Sequence, residues 1–218
     1  MNRIGKGFVA AGAAGAMFFA GTAAADAHGW RWTPRDNEVK VMLPAGNSNP
    51  SIANGVAIGG DVAVYQSSGL GPVALNPAAP KGSPESYTNP AQTAGATGVT
   101  VTEAQSLTVL QAITDNLKVA GLTPSDVVTM KAYLMKPPGA ATADYAGWNR
   151  AYRQFFANVD LTSKKTVPVV MGTSPAKAPI LVNSARPARA TMELASLAVP
   201  GWLVEVEVTA TYPSGRGR

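Results

Sequence analysis

Tyr145, Trp148, Tyr152, Phe155 and Phe156 recur at helical spacing within residues 143–158, and this aromatic stripe constrains the fold more than any other feature. A helix with such a face cannot remain in water and must pack on a sheet or on another helix. The rest of the chain supplies both. Leu107, Leu110, Ile113, Leu117 and Ala120 follow the same spacing and end at Gly121. Ahead of them Thr102-Glu103-Ala104-Gln105 has the S/T-x-x-E/Q form of a capping box. Residues 38–43, 62–67, 127–135, 188–197 and 202–212 read as strands, bounded by turns at Gly69, Gly71-Pro72, Pro137-Pro138-Gly139 and Pro200-Gly201. The expected order is β-β-α-β-α-β-β. Two helices on one face of a mostly antiparallel sheet make an α+β domain.

Residues 1–27 stand apart from this domain. Arg3 and Lys6 precede an apolar run at 8–21, and the small residues that follow offer cleavage after Ala25 or Ala27. Basic, apolar, then cleavable is the order of a secretory signal peptide. The apolar run is shorter than the ~20 residues a spanning helix needs, so an uncleaved anchor is the weaker reading. The expected mature chain is 28–218, a single domain, periplasmic or secreted, with no membrane attachment after cleavage. It carries a long Pro-, Ala- and Ser-rich loop at 71–98 and an irregular, proline-containing insert at 159–186.

Composition excludes several chemistries. The sequence holds no cysteine, which removes disulfides, thiol nucleophiles and thiolate metal sites. Its one histidine, His28, lies at the expected mature N-terminus, away from any catalytic grouping. No carboxylate spacing suggests a metal, so neither metal nor cofactor is expected. The formal charge of +5 falls to +3 without Arg3 and Lys6 and contains no basic run, so no nucleic-acid partner is expected. The tail 214–218 reads as a solvated end.

Two stretches carry a family resemblance. One is Asp126-Val127-Val128-Thr129-Met130-Lys131-Ala132-Tyr133-Leu134 followed by Asp144-Tyr145-Ala146-Gly147-Trp148-Asn149-Arg150-Ala151-Tyr152-Arg153-Gln154-Phe155-Phe156. The other is Pro187-Ala188-Arg189-Ala190-Thr191-Met192-Glu193-Leu194-Ala195 with Leu203-Val204-Glu205-Val206-Glu207-Val208-Thr209-Ala210. In this order, behind a matching helix, they resemble the Rid (YjgF-type) family over 102–158 and 187–211, and more weakly over 50–70. The resemblance implies a chorismate-mutase-like fold assembled as a homotrimer, with clefts lined by two chains. It also implies hydrolysis of 2-imino acids or their enamine tautomers to 2-keto acids and ammonia.

On that resemblance Arg189 is the anchor for the carboxylate of a small substrate, because a planar guanidinium holds a carboxylate in a two-point fork. Glu205 matches the glutamate that holds or polarises the attacking water. Ser68, Gly69 and Thr191 are placed to bind the substrate nitrogen or the product oxygen, and Asn149 to support the cleft by hydrogen bonding. Glu205 and Glu207 alternate with Val204, Val206 and Val208, so both read equally as the polar face of an amphipathic strand. The chain departs from the family at Ser51-Ile52-Ala53-Asn54-Gly55-Val56, where a Gly-Pro-Tyr turn is not visible, at 71–98 and 159–186, and in its leader. A second reading therefore stands beside the deaminase: a non-catalytic trimer of the bacterial envelope that binds a small carboxylate or a partner protein.

Overall fold

A computed structural model describes residues 33–213. The leader at 1–27, His28 and the tail at 214–218 lie outside the described residues. In chain order the elements are β1 (Val39–Met42), β2 (Gly55–Ile58), β3 (Val64–Gln66), α1 (Val101–Val119), β4 (Val127–Leu134), α2 (Tyr145–Phe155), β5 (Ala188–Glu193) and β6 (Val204–Thr211). Short 3-10 turns at Pro84–Tyr87 and Pro124–Asp126 interrupt the loops.

The main sheet runs β3-β6-β4-β5. β6 pairs antiparallel with both β3 and β4, whereas β4 and β5 are parallel. A parallel pair needs a long crossover, and here that crossover is α2 together with the insert. The last two strands are consecutive in sequence yet do not pair, because β4 lies between them and leaves β5 at the edge. β1 and β2 form a separate antiparallel ribbon, Val39 opposite Ile58 and Met42 opposite Gly55. β2 is one strand more than expected. Ala53 just before it bridges to Ala188, so the ribbon meets the β5 edge.

The alternation in β6 behaves as read: Val204, Val206 and Val208 are buried, and Glu205 and Glu207 lie half-exposed on the other face. Met130, Ala132 and Leu134 of β4 join the buried valines, and α1 and α2 close over that side through Leu107, Leu110, Ile113, Leu117, Trp148, Tyr152, Phe155 and Phe156. Tyr145 is a correction. It is the first residue of α2, at the end of the apolar stripe, and is exposed where the residues further along the stripe are buried.

The start of α1 is a second correction. Its N-cap is Thr100, whose hydroxyl accepts from the Glu103 backbone N–H at 3.1 Å, while Thr102 is buried inside the first turn. Glu103 does not reach back to the cap. Its Oε2 instead accepts from Nε and Nη2 of Arg150 on α2, at 2.9 and 2.7 Å, and its Oε1 accepts from Gly172 N–H at 2.9 Å. The Thr100 hydroxyl also donates to Asp144, the N-cap of α2, so one side chain ties both helix starts together. Thr100→Ala is expected to cost about 1 kcal/mol or slightly more. A thermal melt indistinguishable from the parent would remove Thr100 from this role.

The insert lacks helix and strand but is held by buried polar side chains. Asn158 donates to Leu181 O and Arg153 O and accepts from Asn183 N–H; Gln154 donates to Val170 O and accepts from Ile180 N–H. Arg186 is buried and spends its guanidinium on Pro50 O, Ser184 O, Val159 O and Asn49 Oδ1. The 71–98 loop is held similarly: Gln105 donates to Pro84 O and Gly201 O and accepts from Leu203 N–H.

Candidate functional site

Strand register decides which side chains can meet. Arg189 lies opposite Met130 and Thr191 opposite Ala132, so both point to the helix side of β5. Because β5 is an edge strand, that side is only partly covered, and both residues are half-buried.

The Arg189 guanidinium lies 4.3 Å from the centre of the Tyr152 ring and 5.7 Å from that of Trp148. Tyr152 is itself fixed, stacked on Phe156 at 5.4 Å with its hydroxyl donating to Ser51 O at 2.8 Å. An aromatic face attracts a guanidinium and holds its plane. Nη2 donates to Asn149 Oδ1 at 2.6 Å. Nη1 is buried and finds no partner among the described residues, and the same holds for Oγ1 of Thr191. Burial pulls the Arg189 guanidinium below its ordinary pKa. The group is thus a desolvated, oriented cation with one donor edge unspent, which is what an incoming carboxylate requires. An open cleft of about 550 Å³ adjoins it, lined by Ile52, Asn54, Met130, Lys131, Ala188 and Arg189 among others.

Glu205 lies elsewhere. It pairs with Tyr133 and points to the face of the sheet away from the helices. Its carboxylate rests against Gly69: a Cβ there would come 2.0 Å from Oε1. Ser67 is buried and its hydroxyl accepts from Val208 N–H, whereas Ser68 is exposed. Glu207, on the same face, accepts from Tyr133 at 3.2 Å and pairs with Lys131 at 3.5 Å. Burial first, and the Glu207 contact next, push the Tyr133 hydroxyl pKa up.

Within one chain, then, Arg189, Thr191 and Asn149 come together, Glu205, Ser68 and Gly69 come together, and the sheet separates the two groups. Trp148 and Tyr152, which the helical stripe identifies as core, also form the bed of Arg189. Their spacing in sequence is the same for either role, so no local signal distinguishes them. Arg153 is a further residue that the sequence did not single out. Its position, one helical turn after Asn149, was the available signal. Gly69→Ala is expected to move the Glu205 carboxylate aside while changing stability by less than about 1 kcal/mol, since the flexible end of a side chain gives way and not backbone. A crystal structure of the variant with Glu205 unmoved would contradict this.

Among the described residues no group of three or more metal-ligating side chains occurs, and no helix is long and apolar enough to cross a membrane.

A family model described as Endoribonuclease L-PSP matches residues 88–212, more than half of the chain. Similar solved structures include a conserved Rid-family protein from Yersinia pestis, at 18% identity and TM-score 0.45, covering 80% of this chain and 98% of that one. A member of the YjgF/YER057c/UK114 family from Mycobacterium tuberculosis also shares 18% identity, with TM-score 0.38 and coverage of 80% and 100%. TdcF from E. coli, solved with bound serine, shares 18% identity at TM-score 0.39, with coverage of 79% and 99%. No curated protein matches the chain.

Proposed function

The chain belongs to the endoribonuclease L-PSP family, and from that premise we propose that it hydrolyses reactive 2-imino or enamine acids to 2-keto acids and ammonia. The observation that carries this reading is the unspent edge of Arg189. Its guanidinium is laid on Tyr152, tied by Nη2 to Asn149, and left with a buried, unpartnered Nη1. A substrate carboxylate meets that edge and fixes which side of the adjoining C=N carbon is open to water.

Protonation of the imine nitrogen makes the carbon electrophilic. Water adds to it, the C–N bond breaks, and nitrogen leaves as ammonium, so one iminium acid and one water give one keto acid and one ammonium ion. Glu205 holds or polarises the water, and Thr191 with the backbone of Ser68 and Gly69 receives the nitrogen or the new oxygen. Because Arg189 and Glu205 lie on opposite faces of one sheet, the proposal needs a site completed between chains, as in a homotrimer with clefts at its interfaces. The leader-like segment at 1–27 supports placing the reaction in the periplasm or outside the cell. RNA cleavage is not proposed: a single histidine leaves no histidine pair to act as acid and base.

The separation of Arg189 from Glu205 also favours a second reading, a non-catalytic trimer that binds a small carboxylate or a partner protein. Ammonia release decides between them. With 2-iminopropionate and 2-iminobutyrate generated in situ by an amino-acid oxidase, the deaminase reading requires ammonia to appear faster than in an enzyme-free control. Carboxylate binding without added ammonia release would leave the binder.

A further inference from the structure

Three arginines crowd around Tyr152. Arg189 lies over its ring, Arg153 follows it in α2, and Arg153 and Arg186 both donate to Asn49 Oδ1. Asp160 acts on Arg186 from a distance, and among the described residues none of the three has a carboxylate within ion-pair distance. Arg186 is fully occupied by carbonyl and amide oxygens, as described above. Among the described residues Arg153 is held only by neutral groups, Nη2 to Asn49 Oδ1 at 3.0 Å and Nη1 to Ser51 Oγ at 3.4 Å. Burial lowers the pKa of Arg153, as it does that of Arg189. Surplus positive charge held in partly desolvated surroundings is costly unless an anion is expected there.

Arg153 also lines a cleft. The flank of α2 that presents Asn149, Arg150 and Arg153 faces Pro168, Val169 and Val170 of the insert across a space of about 280 Å³. Asn149 belongs to both places: its Oδ1 takes Nη2 of Arg189, and its side chain forms part of the cleft wall. Asn149 and Arg153 are four residues apart on one helix, which places their Cβ atoms roughly 5–6 Å from each other. Arg189 meets the Asn149 end of this turn through its bond to Oδ1, so a short carbon chain with an acid at each end would run from Arg189 past Asn149 to Arg153. Pro168, Val169 and Val170 offer its methylene groups an apolar wall.

We infer that the ligand of this site carries two acid groups, one received by Arg189 and the other by Arg153 in the cleft between α2 and the insert. The inference rests on the reading of Arg189 as carboxylate anchor and narrows it: the substrate class becomes the 2-imino derivatives of dicarboxylic acids. It also gives the 159–186 insert a role, since without residues 168–170 the cleft has no second wall.

The test uses unreactive probes, so it does not depend on turnover. Glutarate and butyrate are titrated calorimetrically into the full-length protein, its Arg153→Gln and Arg153→Lys variants, and Lys118→Gln as a control for loss of a distant surface charge. Glutarate is expected to bind at least about tenfold more tightly than butyrate. Arg153→Gln should reduce that ratio about tenfold, Arg153→Lys should retain part of it, and Lys118→Gln should leave it as in the parent. Equal affinities, or a ratio that Arg153→Gln does not change, would overturn the inference while leaving butyrate binding, and with it the Arg189 anchor, standing. Failure of both probes to bind would remove the anchor reading and this inference together.

Discussion

Arg189→Ala is expected to lower kcat/KM for 2-iminobutyrate by about 100-fold or more. A charge-assisted hydrogen bond to a carboxylate contributes roughly 1.5–3 kcal/mol, and the two-point fork adds orientation that a single charge does not. Arg189→Lys separates these parts. Lysine supplies the positive charge but neither the planar contact with Tyr152 nor the simultaneous bond to Asn149, so it should recover binding better than kcat. The fold should tolerate both variants, because Arg189 sits at the edge strand and removing it takes away a desolvated cation and no counter-charge. The same desolvation implies that a bound carboxylate stabilises the protein. A melting temperature that rises with butyrate in the parent and not in Arg189→Ala would report this without any catalysis. An alanine variant with unchanged kcat/KM would remove Arg189 from the reaction.

The second large effect concerns stability. Glu103 is fully buried, and among the described residues its charge is matched by Arg150 and by the Gly172 N–H alone. Arg150→Ala leaves that carboxylate unpaired in the core, which is expected to cost about 3–5 kcal/mol. Glu103→Ala should be of similar size, because it also strips the Gly172 N–H of its acceptor and loosens the insert. Replacing both residues by methionine should recover part of the loss, since no charge then remains buried, but not all of it. Urea unfolding of the two single variants and the double variant measures each quantity. Losses below about 1 kcal/mol in both single variants would mean that the pair does not clamp α1 to α2.

Much of this architecture is legible in the sequence because most of its elements follow one simple period. Val204, Val206 and Val208 alternate strictly, and Leu107, Leu110, Ile113 and Leu117 keep helical spacing, so β6 and α1 could be read locally. β2 could not: Gly55-Val56-Ala57-Ile58 has no alternation, and its identity as a strand comes from pairing with β1. The helix start was ambiguous because Thr100 and Thr102 each have an acid or amide three residues on. Thr100 takes the cap, while Glu103 turns to Arg150, a partner 47 residues away that no window around the helix contains.

The candidate site divides in the same way. Arg189 could be identified from its motif. That Glu205 lies across the sheet from it could not, because the face of each residue depends on which β4 residue it opposes. Arg189 opposes Met130 and Glu205 opposes Tyr133, three positions apart and therefore on opposite sides. The bed of Arg189 was hidden for a different reason. Trp148 and Tyr152 fill the core and carry the guanidinium on the same stripe.

The most direct test is a trapping experiment with semicarbazide. An amino-acid oxidase generates 2-iminobutyrate in the presence of semicarbazide, and formation of the semicarbazone from the free imine is followed with the parent protein or with Arg189→Ala. If the account is right, the parent protein suppresses the semicarbazone signal from the imine in proportion to its concentration and the variant does not. Equal signals from both folded proteins would contradict it.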